Sequence, residues 1–247
     1  MMNDMKTIGL IGGLSWESTS EYYSYINRFV KEKLGGLHSA KCLLHSFDFQ
    51  EMVDLQHNGD WDQATNHMIN AAKTLENGGA DMIVICTNTM HKMAPEVKNE
   101  VKIPLLHIVD AVAEKINEQS MTKVGLLGTK FTMEQPFYKE YLSKHGIEVV
   151  IPNEEDRKIV HDVIYNELCK GDFKEASKDK YIQIINRLYK QGAEGIILGC
   201  TEIPLLVKQE DTFVPLFDST LLHAKAAVDF AFRNSSIGEA SETVHKM

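Results

Sequence analysis

Gly192-Ala-Glu-Gly-Ile-Ile-Leu-Gly-Cys200-Thr-Glu-Ile203 decides how this chain is read. A glycine turn and an acidic residue lead into an uninterrupted apolar run that ends on a glycine, a cysteine and small polar residues. Such a run, bounded by turn signals and too short for a helix, reads as a strand buried on both faces, the kind found in parallel sheets covered by helices. The same grammar stands earlier, in Gly79-Ala-Asp-Met-Ile-Val-Ile-Cys-Thr87-Asn-Thr-Met90, and 113 residues separate both Gly79 from Gly192 and Thr87 from Cys200.

Other stretches repeat in the same order. Lys6-Thr-Ile-Gly-Leu-Ile-Gly12-Gly13 matches Lys123-Val-Gly-Leu-Leu-Gly128-Thr129, and Ile103-Pro-Leu-Leu-His107 matches Val214-Pro-Leu-Phe-Asp218. An internal duplication follows. The expected architecture is α/β, two pseudo-symmetric parallel-sheet domains: an N-terminal lobe of residues 1–117 plus 218–247 and a C-terminal lobe of 118–217. Ligands of open α/β sheets bind at the carboxyl ends of the strands. Thr87 and Cys200 are therefore expected to flank one small molecule from opposite sides.

At 247 residues the chain suffices for two such units, and its apolar and charged fractions are those of a globular protein. A net charge of −9 without a Lys/Arg cluster argues against nucleic acid. No apolar stretch approaches the roughly 18–20 residues of a membrane span, and no leader is evident, so a cytoplasmic protein is expected. Cys42, Cys86, Cys169 and Cys200 have neither CxxC nor Cys/His metal spacing.

Along the first half, Lys6–Ile11 reads as a strand, Gly12-Gly13-Leu14-Ser15 as a turn, and Trp16 as the start of a helix capped by Ser15 or Ser18. A helix start of this kind receives an anion such as a carboxylate. The spacing of Gly9, Gly12 and Gly13 is not that of a dinucleotide fingerprint. Ser39–Phe47 reads as the second strand, Asp48–Asp62 as a polar loop holding Gln56, Thr65–Asn77 as a helix, and Pro104–Ile108 as a strand. In the second half, helices are expected over Phe137–His145, Arg157–Cys169, Tyr181–Gln191 and Leu221–Phe232. Asn153–Asp156 reads as an acidic loop, Val214–Phe217 as the last strand, and Asn234–Met247 as a tail.

A cysteine between a buried strand and a helix start is expected to have its thiol pKa lowered by the exposed N–H groups, which makes it a usable base. A second proton-carrying group across the cleft would let one side remove a proton from carbon and the other return one to the opposite face. That is stereoinversion. Cys86, one step before Thr87, should point to the other face of its strand.

Gly-Gly-Leu-Ser-Trp-Glu-Ser (12–18), Cys-Thr-Asn-Thr-Met-His (86–91), Gly-Leu-Leu-Gly-Thr (125–129), Glu-Glu-Asp-Arg (154–157), Ile-Tyr-Asn-Glu-Leu (164–168) and Gly-Cys-Thr-Glu-Ile (199–203) resemble the aspartate/glutamate racemase family. Within it, the bacterial broad-specificity and L-aspartate/glutamate-specific racemases are the nearest in pattern. The resemblance implies pyridoxal-phosphate-independent, two-base racemisation of a small amino acid, with no cofactor, no metal and a homodimeric assembly. Most members carry cysteine at both positions; here Thr87 stands in the first. The resemblance then implies Cys200 as base on an L-amino acid and Thr87 as acid, with the reverse direction slowed by the poor basicity of a hydroxyl.

The substrate-binding set expected around the pair is Leu14, Ser15, Gln56, Asn88, Thr89, Thr129, Thr201 and Glu202. Asn88, Thr89 and Thr201 are placed to hold the α-carboxylate, and Glu202 to orient Thr201 or a water. His91 reads as a satisfied helix residue. Lys130, Arg157 and Lys158 are the cations available to grip a second carboxylate, as in L-aspartate or L-glutamate. The competing readings are a malonate decarboxylase or maleate isomerase of the same fold, and an idle amino-acid-binding protein.

Overall fold

The computed structural model describes residues 5–233. In its first half, β1 (Ile8–Gly12), α1 (Trp16–Leu34), β2 (Cys42–Ser46), α2 (Phe49–Asn58), α3 (Trp61–Asn77), β3 (Met82–Ile85), α4 (Ala94–Glu100), β4 (Leu105–Leu106) and α5 (Ile108–Glu118) follow in order. The second half runs β5 (Lys123–Gly128), α6 (Lys130–Glu134), α7 (Pro136–Ser143), β6 (Glu148–Val150), α8 (Glu154–Asn166), α9 (Glu175–Lys190), β7 (Gly195–Gly199), α10 (Ile203–Leu206), β8 (Leu216–Asp218) and α11 (Ser219–Ala231).

Each half forms a four-stranded sheet of the same order, β2-β1-β3-β4 and β6-β5-β7-β8, and every pairing is parallel. The register carries the duplication to single residues. Gly9 lies beside Ile83 in the first sheet and Gly125 beside Ile196 in the second, so matched residues pair with matched residues, 116 positions apart along β1 and β5 and 113 along β3 and β7. In both sheets the chain reverses its direction of travel between two adjacent strands, β1 and β3 or β5 and β7. These are the topological switch points, where the loops part and leave a crevice.

Alternation along the strands separates the two faces of the first sheet. Ile11, Ile83 and Ile85 pack with Met68, Ala71 and Leu75 of α3. Ile8, Leu10, Met82, Val84 and Cys86 face Tyr22, Ile26 and Val30 of α1 together with Ala224, Ala227 and Val228 of α11. The last helix thus leaves the second sheet, capped by Asp218 at the end of β8, and packs on the first lobe. Cys86 is fully buried on that far face.

Several boundaries differ from the sequence reading. The polar stretch after Phe47 is mostly helix: Asp48 caps α2 and Asp60 caps α3, each by accepting a backbone N–H. Its polarity reflects how little of α2 is buried, with Met52 and Gln56 alone facing inward. Gln56 accordingly sits on a helix and not on a loop. The acidic stretch Asn153–Asp156 is likewise the cap and first turn of α8, where acidic side chains complement the helix dipole. Asp156 is buried there and accepts a bidentate pair of hydrogen bonds from Arg187 of α9, at 2.8 and 2.7 Å. β2 is shorter than Ser39–Phe47, β4 spans only Leu105–Leu106, and β8 is shifted onto Asp218. The helix α6 after Thr129 had no periodic signal because it has barely more than one turn. The tail Asn234–Met247 lies outside the described residues.

Candidate active site

Four turns meet between the lobes, one from each switch strand. After β1, Gly13 adopts φ +74°, and a Cβ there would stand 2.3 Å from the Phe47 carbonyl oxygen, so only glycine fits. Ser15 follows with φ 83°, an uncommon conformation for a residue with a side chain. Its Oγ caps α1 by accepting from Ser18 N–H. After β5, Thr129 caps α6 by accepting from Thr132 N–H. After β3 and β7 come Thr87 and Cys200. Both are partly exposed while the residues next to them on either side are buried.

Thr87 and Cys200 line the same cleft, about 480 Å³ with part of it open to solvent. Leu14, Ser15, Gln56 and Thr129 line it from the surrounding turns and α2, and Asn88, Thr89, Thr201 and Glu202 from the turns that carry the pair. All ten expected residues are in one place. Phe49, Met90, Ile164, Tyr165 and Cys169 also contribute. The last three come from the end of α8 and the turn after it. Ile164 and Tyr165 sit within one of the stretches that carry the family resemblance, which was the signal available for this wall.

Glu202 organises the thiol side. It is almost completely buried. Its Oε2 accepts from Thr201 Oγ1 at 2.8 Å and from Cys200 Sγ at 2.9 Å, and its Oε1 accepts from Ser15 Oγ of the first lobe at 2.8 Å. Cys169 Sγ approaches Oε1 at 3.9 Å. Burial first, then the Glu202 carboxylate and Cys169, push the Cys200 thiol well above its ordinary range. This reverses the expectation of a thiol lowered by a helix start. The helix after Cys200, α10, has only four residues, and a carboxylate lies closer to the sulfur than any helix end. The resting pair is a protonated thiol hydrogen-bonded to a carboxylate.

The hydroxyl side is held differently. Ser219 Oγ donates its only proton to the Leu198 carbonyl at 2.8 Å, so it must accept from Asn88 Nδ2 at 3.0 Å. This fixes the Asn88 amide and leaves its buried Oδ1 without a hydrogen-bond partner among the described residues. Asn88 thus keeps Oδ1 as an unpaired acceptor, and Ser219 uses only one of its two Nδ2–H donors. Thr89 joins Thr129 and Thr132 in a cluster of hydroxyls 3.2–3.4 Å apart that spans the two lobes.

Behind Thr87 lie three buried or half-buried histidines. His91 receives the Ile108 N–H on Nε2 at 3.1 Å, so Nδ1 carries the proton and donates to the Thr87 carbonyl at 2.8 Å. His223 gives Nε2–H to the Leu106 carbonyl and accepts from the Tyr22 hydroxyl on Nδ1, both at 2.9 Å. Burial lowers all three, His223 to about 4 and His107 to about 3. They are neutral around pH 7.

The cations named for a second carboxylate are elsewhere. Arg157 donates to Glu134 and to the Pro152 carbonyl, Lys130 faces Glu134, and Lys158 pairs with Asp162, all on a separate charged surface groove. No lysine, arginine or histidine is among the described residues that line the cleft.

The Asp/Glu/Hydantoin racemase family model matches residues 11–227, nearly the whole chain. The chain belongs to that family. Among similar solved structures, a candidate Asp/Glu racemase from Yersinia pestis shares 53% identity with this racemase-family chain at TM-score 0.88, covering 93% of it and 100% of the other. An aspartate racemase homologue from Pyrococcus horikoshii OT3 shares 39% identity at TM-score 0.82, covering 92% and 99%. The broad specificity amino-acid racemase RacX of Bacillus subtilis (strain 168) is 25% identical over 228 residues, 90% of this chain and 96% of RacX. Membership in the racemase family supports amino-acid racemase activity. No described helix is long and apolar enough to cross a membrane.

Proposed function

We propose that this protein is a cofactor-independent racemase that acts on L-amino acids through Cys200 as base and Thr87 as acid. The observation that supports it most directly is the placement of a thiol and a hydroxyl at duplicated switch-point positions on the same cleft. As an L-amino acid enters, its α-ammonium faces Asn88 Oδ1 and the Glu202 carboxylate, and its α-carboxylate faces the hydroxyls of Thr89 and Thr129. The ammonium also lies against the Cys200 sulfur, which sits 2.9 Å from Glu202, and its positive charge favours the thiolate. At about 4 Å and an effective dielectric near 20, one such charge is worth about 4 kcal/mol.

With the thiolate so favoured, the Sγ–H proton passes to Glu202, which already accepts its hydrogen bond. The thiolate then removes the α-hydrogen, the electron pair spreads into the substrate carboxylate, and Thr87 Oγ–H delivers a proton to the opposite face. The product is the D-amino acid. The proton on Glu202 returns through water to Thr87, and Cys200 ends the turnover as a thiol. In the reverse direction a neutral hydroxyl has to abstract the α-hydrogen, so the D-isomer reaches the carbanion more slowly than the L-isomer, whose α-proton also exchanges on the Cys200 side without inversion.

The charge in the cleft selects among side chains. A buried carboxylate with no cation beside it repels a second substrate carboxylate, so short neutral or polar L-amino acids are turned over ahead of L-aspartate and L-glutamate. Incubation of single L- and D-amino acids in deuterated water tests the whole reading. The α-proton of L-isomers exchanges and D-product accumulates, D-isomers exchange far more slowly, and Cys200→Ser abolishes both. Equal exchange of the two isomers would contradict the assignment of roles. Release of carbon dioxide or fumarate without exchange would point to the decarboxylase or isomerase reading.

A further inference from the structure

We propose that His91 is a positioning residue for Thr87: it fixes the Thr87–Asn88 peptide so that the hydroxyl meets the carbanion and Asn88 meets the ammonium. The proposal rests on the reading of Thr87 as the acid. His91 does not line the cleft and is almost completely buried behind it. Both of its ring nitrogens are committed, Nδ1–H to the Thr87 carbonyl and Nε2 to the Ile108 N–H at the start of α5. The ring itself is wedged against His107 and His223, with centroids 4.7 and 5.5 Å away. An imidazole held at three sides is a rigid strut, and its one donated hydrogen bond ends on the main chain of the reacting residue.

The other lobe shows why the strut is required. At the matched position the Cys200 carbonyl is held by its own turn, accepting from Ile203 N–H at 3.2 Å as α10 begins. The residue equivalent to His91, 113 positions on, is Pro204, which lies in the first turn of α10 and has no N–H to give. In the first lobe the segment after Thr87 is a five-residue 3₁₀ turn, Thr89–Met93, whose nearest backbone bond runs from His91 N–H to the Asn88 carbonyl and passes over Thr87. The side chain of His91 supplies the bond that the backbone supplies opposite. A buried carbonyl left without it would rotate toward another donor and take the Thr87 side chain with it.

Two isosteric substitutions separate the two bonds. Asparagine places its amide N–H near the Nδ1 position and keeps the bond to Thr87. Glutamine places its carbonyl near the Nε2 position and keeps the bond to Ile108. The readout is the partition of the carbanion in deuterated water: D-product formed, which needs Thr87, divided by deuterium found in recovered L-substrate, which needs only Cys200. This ratio does not depend on how much enzyme is folded. His91→Gln is expected to lower it about 10- to 100-fold, the scale of misplacing a reacting group by about 1 Å, and His91→Asn to keep it within about threefold of wild type.

The Thr87 carbonyl chemical shift, read in ¹³C-labelled protein, should move in His91→Gln and stay in His91→Asn. A shift that moves with an unchanged ratio, or a ratio that falls equally in both variants, overturns the positioning role while Cys200 and Thr87 stand. A wild-type protein that exchanges no α-proton from any amino acid overturns both.

Discussion

Replacing Glu202 by glutamine removes the charge beside Cys200 and keeps the shape. The carboxylate oxygen is 2.9 Å from the sulfur in the thiol form. A thiolate and a carboxylate would move apart to about 4 Å, where their repulsion at an effective dielectric near 20 is about 4 kcal/mol. Because a neighbouring anion raises a thiol pKa, its loss must lower it. Burial still holds the thiol up in the variant, so the value falls toward the ordinary cysteine range without going below it. The assay is alkylation of Cys200 by neutral iodoacetamide as a function of pH, followed by mass spectrometry of the Cys200 peptide, with the half-buried Cys42 as internal reference. The midpoint for Cys200 should move down, and thiol reactivity at pH 7.5 should rise. Exchange of the L-substrate α-proton should nevertheless fall, by about 10²-fold, because the acceptor for the thiol proton is gone. A midpoint that is unmoved or higher refutes the electrostatic account of this pair. Unchanged exchange refutes Glu202 as the acceptor.

Restoring a thiol by Thr87→Cys should raise α-proton exchange from D-substrates by about 10²-fold or more, with a smaller effect on L-substrates, as measured by ¹H NMR in deuterated water. Placing a cation on the cleft wall by Gln56→Lys should shift kcat/KM toward L-aspartate over a neutral side chain by about tenfold, and a panel of L-amino acids reads the ratio. Gly13→Ala should cost about 2–3 kcal/mol and lower Tm by roughly 5–10 °C, since the methyl group meets the Phe47 backbone at a positive φ. His223, at about 4 in the folded chain against about 6.5 unfolded, is protonated first in the unfolded state as pH falls. Its contribution to stability is therefore complete above pH 6.5 and is lost between 6.5 and 4 by about 1.4 kcal/mol per unit; urea midpoints at pH 7, 6 and 5 should show a shallower slope in His223→Gln.

The parts of this molecule that were legible in the sequence are those fixed by local patterning. Met82–Ile85 and Gly195–Gly199 are buried along their whole length, and such strands announce themselves as unbroken apolar runs ended by turn residues. Their repetition at a constant separation gave both lobes, and strand polarity then placed Thr87 and Cys200 on one cleft. Cys86 followed from alternation alone. The misreadings were of two kinds. α2 was taken for a loop because a helix with one thin buried stripe is polar in composition. The electrostatics of Cys200 were misjudged because Glu202, two residues on, folds back onto the sulfur instead of pointing away with α10, and the spacing of residues carries no information about that rotamer. Cys169 reaches the same carboxylate from a turn after α8, a contact between segments 33 residues apart that no local pattern encodes.

The two lobes share a scaffold and differ where it touches substrate. Position by position, Thr87 faces Cys200, Thr89 answers Glu202, and His91 answers Pro204. The first two pairs place the polarisable or charged member on the second lobe and the neutral one on the first. In the proposed reaction a thiol next to a carboxylate needs an incoming ammonium before it acts as a base, whereas the Thr87 hydroxyl gives a proton from a wall without a charged side chain. The isomer that exchanges its α-proton faster is then set by the ground-state charge of each wall: the anionic wall takes the proton from the isomer whose α-hydrogen faces it, and the neutral wall returns one. A duplicated fold that began symmetric becomes chiral in its chemistry through substitutions at three matched positions, with no change in the sheets that hold them.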